Sequence, residues 1–211
     1  MAAELPRDRR GAKASLPPPS GRGGRTRARR VVGAAAASAR DVTEAALRFA
    51  SGTCSLGSIL VATSAHGLRV VFLGDDPAAL TRSLRARFPG TPLLAADAAL
   101  GPLVAQVAQL IEQPQRGAAF PIDLSGTAFQ RRVWQALVAI PAGQTRSYGA
   151  IATAIGEPTA ARAVARACAA NPLAVVVPCH RALRTDGKPS GYRWGLGRKR
   201  ELLAREASAR G

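Results

Sequence analysis

Apolar and polar positions between residues 45 and 124 follow a pattern that predicts two β-strands and then two helices. The run SILVATSAHGLRVVFLG has two β-branched, apolar stretches on either side of the triplet AHG at 65–67, which is typical of a β-hairpin. Pro77, directly behind Asp76, is expected to open a helix that continues to Phe88, and PLVAQVAQLIEQ predicts a second helix. We interpret residues 45–124 as a small α/β domain with a scaffolding role.

Helical spacing returns in SYGAIATAIGEPTAARAVARACAANP, which predicts two short helices. Ile151 and Ile155 form an i, i+4 apolar stripe on the first helix, and Gly156 interrupts it. The second helix is predicted to begin near Thr159 as N-cap and to end at Asn171, which precedes a proline. A helix, a tight turn and a second helix are typical of a helix-turn-helix, whose second helix commonly enters a DNA groove. Any helical hairpin has the same spacing, so the pattern alone leaves DNA binding open.

The segment VVVPCHR is the most informative chemical feature of the chain. Its β-branched residues predict a strand that delivers Cys179 beside His180 and Arg181. A thiolate is the nucleophilic form of cysteine, and neighbouring cations lower its usual pKa of about 8.5. These neighbours therefore indicate an activated nucleophile, whereas the alternative is an inert cysteine packed in a core strand.

Charge is distributed unevenly along the 211 residues, whose net charge is +17. Residues 1–40 carry ten basic and two acidic side chains, residues 41–124 carry six and seven, and residues 125–211 carry fourteen and four. The segment that contains the cysteine is therefore strongly basic, as expected of a surface that binds DNA phosphates. Solvated surface arginines are the alternative. The first 40 residues combine PPP with GRGGRTRARR, which predicts a disordered basic tail; an organellar presequence is the alternative.

The remaining composition limits the other classes of function. We expect no membrane span, because no run of about 18 apolar residues occurs. The three cysteines form no CxxC pair and only two histidines are present, so we expect neither a metal site nor a cofactor. An odd cysteine count and a required thiolate indicate a reducing compartment.

Residues 129–206 resemble the O6-alkylguanine-DNA alkyltransferase family, and its bacterial Ada type in particular. The motifs RAVA, ANP, PCHR and SGYRWG occur together and in this order. A weaker likeness covers residues 47–126. The resemblance implies a ribonuclease H-like α/β domain at residues 45–124, followed at residues 125–211 by a mainly α-helical domain with a winged-helix-like helix-turn-helix. It also implies a monomer in the bacterial cytoplasm.

The function implied by this resemblance is direct-reversal DNA repair. Cys179 would accept the alkyl group of O6-alkylguanine after the base is flipped out of duplex DNA. The resemblance leaves open whether O4-alkylthymine is also a substrate. His180 would relay the thiol proton through a water molecule, and Glu206 would hold the imidazole. Asn171 would tie the recognition helix to the cysteine segment, and Tyr148 would crowd the target phosphate. The protein would react once and stop.

The resemblance also assigns side chains that bind DNA or the base. Arg162 corresponds to the family's arginine finger, which enters the base stack, while Ala161 and Ala163 let the helix backbone approach the DNA; an ordinary phosphate contact is the alternative for Arg162. Tyr192 would hydrogen-bond the flipped purine. Arg193 follows it in the same loop, where many relatives carry Ser or Gly.

Two other functions fit parts of the sequence. A protein that flips damaged bases without chemistry would share the motifs, but the cysteine of PCHR argues against it. A cysteine hydrolase would need a distant histidine, and only His66 on a predicted turn could serve.

Overall fold

The computed structural model describes residues 45–116 and 119–208. The predicted basic tail at residues 1–40 lies outside the described residues. Among the helices described, none is long and apolar enough to cross a membrane.

A four-stranded sheet forms the first part of the described chain, with strands β1 (Leu47–Cys54), β2 (Gly57–Ser64), β3 (Gly67–Gly74) and β4 (Leu93–Ala95) in the order β3-β2-β1-β4. The β2–β3 hairpin is confirmed, and the structure adds two strands that the sequence analysis did not predict. β1 pairs antiparallel with β2 and parallel with β4. β1 mixes buried and exposed positions, so its hydrophobic pattern is weak.

Helices α1 (Pro77–Arg87) and α2 (Asp97–Glu112) pack against this sheet. The start of α1 is as predicted, because the Asp76 side chain accepts hydrogen bonds from the first free backbone amides of the helix. Phe88 is the C-cap, so the predicted end is also confirmed. The second predicted helix is confirmed, but it begins earlier, at Asp97.

Helix α3 (Ala128–Val138) opens the second part of the described chain. A capping box between Thr127 and Gln130 fixes its first turn. Trp134 is fully buried, and its indole nitrogen donates a hydrogen bond of 2.9 Å to the carbonyl oxygen of Ala167. This bond joins α3 to the helix that contains Ala167.

Two short helices, α4 (Tyr148–Ala154) and α5 (Ala161–Ala170), form the predicted helix-turn-helix arrangement. The turn contains Gly156 at φ 76°, a conformation that glycine adopts without strain. The predicted N-cap is wrong, because α5 begins two residues after Thr159 and Ala160 precedes it without a side-chain cap. The Gly-Glu-Pro turn takes more residues than the sequence analysis allowed. The predicted end at Asn171 is confirmed.

The segment before the cysteine is a buried turn and not the predicted strand. Within it, Val175 has φ 66°, a left-handed conformation that strains a β-branched residue. The valines are largely buried, so the apolar run reflects core packing without strand pairing. Cys179–Arg181 then form a 3₁₀ turn, and Ala182–Leu183 (β6) pair with Arg146–Ser147 (β5).

Helix α6 (Leu196–Ser208) ends the described chain. Buried residues from the sheet, such as Leu60 and Val71, and from the helices, such as Trp134 and Leu202, belong to one hydrophobic core. The division of this core into domains at residues 124 and 125 stays a prediction.

Candidate active site

Cys179 lies in the wall of a cavity of about 340 Å³. Its side chain is a free thiol and is largely buried. The cavity brings α4 and α5 together with the loop before α6, and its lining residues are Tyr148, Ala165, Cys168, Ala169, Cys179, Ser190, Gly191, Tyr192 and Arg193. Four of the side chains singled out from the sequence therefore meet at one cavity.

The Asn171 amide is the direct polar partner of the cysteine sulfur. Its Nδ2 lies 3.2 Å from Cys179 Sγ and donates to the carbonyl oxygens of Leu173 at 3.2 Å and Val177 at 2.8 Å. Its Oδ1 accepts from the backbone amide of Leu173 at 2.9 Å. The structure thus places Asn171 where it can connect α5 to the cysteine segment. The contact with the sulfur itself could not be expected from sequence.

His180 and Glu206 form a buried pair behind the cysteine. His180 Nε2 lies 2.9 Å from Glu206 Oε1, and both side chains are almost fully enclosed. Because a carboxylate accepts at Nε2, the neutral imidazole carries its proton there and keeps the Nδ1 lone pair free. Among the described residues, no protein group bonds this buried Nδ1 atom. Burial lowers the pKa of His180 and outweighs the raising effect of Glu206. The lowered pKa favours the neutral ring.

Arg181 pairs with Glu206 and does not act on the cysteine. Its guanidinium donates to Glu206 Oε1 from Nε at 3.0 Å and from Nη2 at 2.7 Å, and to the carbonyl oxygen of Ile140. Glu206 also accepts from the backbone amide of Gly143 at 3.0 Å. Burial raises the pKa of Glu206, but the hydrogen bonds from His180 and Arg181 outweigh it and hold the pKa at about 2. Glu206 is therefore the ionised centre of this cluster.

The pKa of the cysteine differs from the sequence-based expectation. Burial raises the pKa of the Cys179 thiol to about 11, although the Asn171 hydrogen bond and the charge of Lys199 lower it. The expected activation by His180 and Arg181 is wrong, because the ring is neutral and the guanidinium is neutralised by its carboxylate. Lys199, which the sequence analysis did not select, is the cation that acts on the sulfur.

Two tyrosines enclose the cavity. Tyr148 is the first residue of α4, and its hydroxyl lies 3.3 Å from Ser190 Oγ. Tyr192 packs edge-on against His180, with ring centroids 6.4 Å apart, and against Trp194 at 5.2 Å. The buried Tyr192 hydroxyl has no hydrogen-bond partner among the described residues. Burial raises the pKa of both tyrosines, so each remains a hydroxyl donor at neutral pH.

The two arginines expected to contact DNA, Arg162 and Arg193, are both exposed. Arg162 is exposed on the first turn of α5, between the partly exposed Ala161 and Ala163. Arg193 is exposed at the cavity wall, and its guanidinium carbon lies 5.4 Å from the ring centroid of Phe72. Arg162 lines a second cavity together with Tyr148 and Ser190, whereas Arg193 lines the cavity of Cys179.

No group of three or more His, Cys, Asp or Glu side chains in the described part of the chain is arranged to hold a metal ion.

Comparison with known proteins agrees with this geometry. The profile described as "6-O-methylguanine DNA methyltransferase, DNA binding domain" matches residues 128–208. The inducible methylated-DNA–protein-cysteine methyltransferase of Bacillus subtilis is 40% identical over 152 residues, which cover 71% of this chain and 84% of that protein. The chain belongs to the methylated-DNA–protein-cysteine methyltransferase family.

The bifunctional transcriptional activator and DNA repair enzyme Ada of Escherichia coli is 49% identical over 162 residues. That match covers 77% of this chain but 46% of Ada, so the chain spans about half the length of this methyltransferase relative. The crystal structure of OGT from Mycobacterium tuberculosis in complex with DNA superposes with a TM-score of 0.66 at 35% identity, covering 76% of this chain and 93% of OGT. It shares the arrangement of an N-terminal sheet followed by a helical part.

Proposed function

We propose that this protein repairs DNA by direct reversal, moving the alkyl group of O6-alkylguanine to Cys179 once per molecule. One observation carries the proposal: a free cysteine at a cavity wall is hydrogen-bonded by Asn171 and backed by the His180–Glu206 pair. The family membership supports the same reaction.

The reaction is a displacement at the alkyl carbon. The Cys179 sulfur forms a bond to this carbon while the bond from carbon to O6 breaks, and the electron pair of that bond goes to the guanine. The thiol proton leaves towards the free lone pair of His180 Nδ1 through a bridging water, and the guanine takes up one proton in exchange. Tyr192 donates a hydrogen bond to the base and stabilises its developing charge. The thioether is stable, so the protein acts once.

Duplex DNA that carries the alkylated base is the proposed partner. The base must leave the stack to reach a largely buried sulfur, which costs a few kcal/mol. Arg162 projects from the first turn of α5, where it can fill the gap in the stack, and its small neighbours Ala161 and Ala163 allow close approach. Tyr148 and Arg193 flank the entrance to the cavity.

The finer structural assignments belong to the same proposal. The mixed sheet with two flanking helices fits a ribonuclease H-like domain at residues 45–124, and α3 to α6 fit a winged-helix-like domain at residues 125–211. We propose a monomer that works in the bacterial cytoplasm, where the thiol of Cys179 stays reduced.

Titration with damaged DNA tests the proposed function. Incubated with a tenfold excess of duplex containing O6-methylguanine, the protein should restore about one guanine per chain and then stop, because the thioether is not hydrolysed. Chromatography of the digested DNA measures restored guanine. Continued repair beyond one equivalent would show a catalytic demethylase, and a strand with an abasic site would show a glycosylase.

Arg162→Ala should slow methyl transfer from duplex DNA by roughly a hundredfold, because the stack closes again over the flipped base. Transfer from free O6-methylguanine should change less than twofold, since no duplex has to open. The control is Arg166→Ala, which removes an equally exposed arginine one turn further along α5. Equal slowing on both substrates would remove the role of Arg162 in the base stack, and equal slowing by the control variant on duplex would reduce Arg162 to an ordinary phosphate contact.

A further inference from the structure

Lys199 on α6 is fully buried beneath the cavity. Its Nζ donates hydrogen bonds to the carbonyl oxygen of Ala182 at 2.6 Å and to that of Ser190 at 3.1 Å. Nζ also lies 6.0 Å from the ring centroid of Tyr148. Lys199 therefore contacts the segment after the cysteine, the loop that lines the cavity, and the helix opposite.

This ammonium group has no carboxylate partner among residues 45–116 and 119–208. The other buried cation of the site, Arg181, is neutralised by Glu206. Carbonyl dipoles solvate an ammonium in part, but a buried charge without a counter-ion is unfavourable. Because Lys199 is hydrogen-bonded to the carbonyl oxygen of Ala182, three residues after Cys179, the thiolate of Cys179 is the candidate counter-ion.

We propose that Lys199 is a positioning residue whose buried positive charge stabilises the thiolate that Cys179 forms during alkyl transfer. The inference deepens the proposed function and rests on it. As the thiol proton leaves, the sulfur becomes an anion, and the charge of Lys199 lowers the pKa of that thiol. When the S–C bond forms, the negative charge passes to the departing guanine, and protonation of the guanine removes it. Lys199 itself neither gains nor loses a proton.

Burial lowers the pKa of the Lys199 ammonium, against the raising effect of Cys179 and Cys168. The other groups around Lys199 and Cys179 supply no further net charge. Burial raises the pKa of Cys168 on α5 and the pKa values of both tyrosines, so these groups stay neutral. Burial lowers the pKa of the His180 ring, which is uncharged, and Glu206 and Arg181 compensate each other. Arg198 points away from the sulfur to Asp75 and the carbonyl oxygen of Leu56. The titratable and charged groups around Lys199 and Cys179 are thus Cys168, Tyr148, Tyr192, His180, Glu206, Arg181 and Arg198.

The rate of iodoacetamide alkylation at Cys179, followed by peptide mass between pH 6.5 and 9, tests this inference without DNA. The Cys179 thiol is largely protonated over this range, so the rate follows its small thiolate fraction. Lys199→Gln keeps hydrogen-bond donors but removes the charge, and should slow the reaction roughly tenfold at each pH, which corresponds to a thiol pKa higher by about one unit. Lys199→Arg should keep the wild-type rates. The matched control is Arg200→Gln, an exposed charge next along α6, which should change nothing. Unchanged rates for folded Lys199→Gln would overturn the inference.

A reciprocal measurement covers the case in which Lys199→Gln does not fold. If the ammonium stabilises an anion at position 179, that anion must raise the pKa of Lys199 in return. NMR titration of the Lys199 side chain should therefore give a higher pKa in Cys179→Asp, which carries a carboxylate at this position, than in Cys179→Ser. Identical values would overturn the inference. Neither experiment uses DNA, so the outcome for Lys199 is independent of the outcome for repair. A protein could show the effect of Lys199 on the thiolate and still fail to repair DNA, and that result would contradict only the proposed function.

Discussion

A Cys179→Ser protein is expected to bind methylated duplex DNA with an affinity within about twofold of the wild type and to transfer no methyl group. Serine has nearly the same size as cysteine, so the cavity and the Asn171 contact are retained. A hydroxyl group is far less acidic than a thiol and is a much weaker nucleophile without a strong base beside it. Fluorescence anisotropy measures binding, and tritiated methyl groups measure transfer.

The matched control for this prediction is Cys54→Ser. Cys54 lies at the end of β1, is partly exposed and belongs to none of the cavity walls. This variant should transfer one methyl group at the wild-type rate. Methyl transfer that persists in Cys179→Ser and disappears in Cys54→Ser would identify Cys54 as the acceptor and contradict the prediction. Loss of DNA binding in Cys179→Ser would mean that the cysteine is needed for the fold.

Glu206→Gln is expected to lower the free energy of unfolding by about 3 kcal/mol at pH 7, because it leaves Arg181 buried without its counter-ion. The amide also presents a donor to two groups that donate, the His180 ring and the guanidinium. Urea unfolding measures the change. The control is Glu201→Gln on the same helix, whose exposed carboxylate contacts only Arg205 and should contribute less than about 1 kcal/mol.

The difference between wild type and Glu206→Gln should depend on pH in one direction. The folded-state pKa of Glu206 is held at about 2 by its hydrogen bonds, which is below its value of about 4.3 in the unfolded chain. The stabilisation is therefore complete above pH ~4.3 and is lost as the pH falls towards 2. A difference that stays constant down to pH 2 would show that Glu206 acts only through packing.

Local signals predicted the elements whose ends are fixed by their own sequence. Asp76 before Pro77 defines the start of α1, and Gly156 supplies the left-handed turn between α4 and α5. The hairpin β2–β3 was predictable because both strands carry strong apolar runs. These features depend on neighbours in the chain and need no knowledge of the tertiary fold.

Tertiary contacts decided the features that the sequence could not predict. The valines before Cys179 look like a strand, but the Asn171 amide captures the backbone of Leu173 and Val177 and holds a turn instead. β1 and β4 are recognisable only through their pairing, since their own patterns are weak. Helix α5 begins without a side-chain cap, so no residue type marks its start.

The candidate site was predictable as a set of residues, but its electrostatics were not. The order of the motifs resembles that of the family, and this resemblance predicts Cys179, His180 and Glu206 in one site. In the structure His180 pairs with Glu206, and the adjacent Cys179 lines the cavity. Sequence neighbours suggested that Arg181 would activate the thiol, whereas its guanidinium is bound to Glu206. Lys199 lies between Arg198 and Arg200 in a basic run of α6, so only its complete burial distinguishes it.

Peptide-resolved mass spectrometry after incubation with methylated duplex DNA is the most direct test of the central claim. The account predicts one added methyl group per chain, found entirely on the peptide that contains Cys179, with Cys54 and Cys168 unmodified. Methyl groups on either of those cysteines, or fully unmodified protein after complete repair of the DNA, would contradict it.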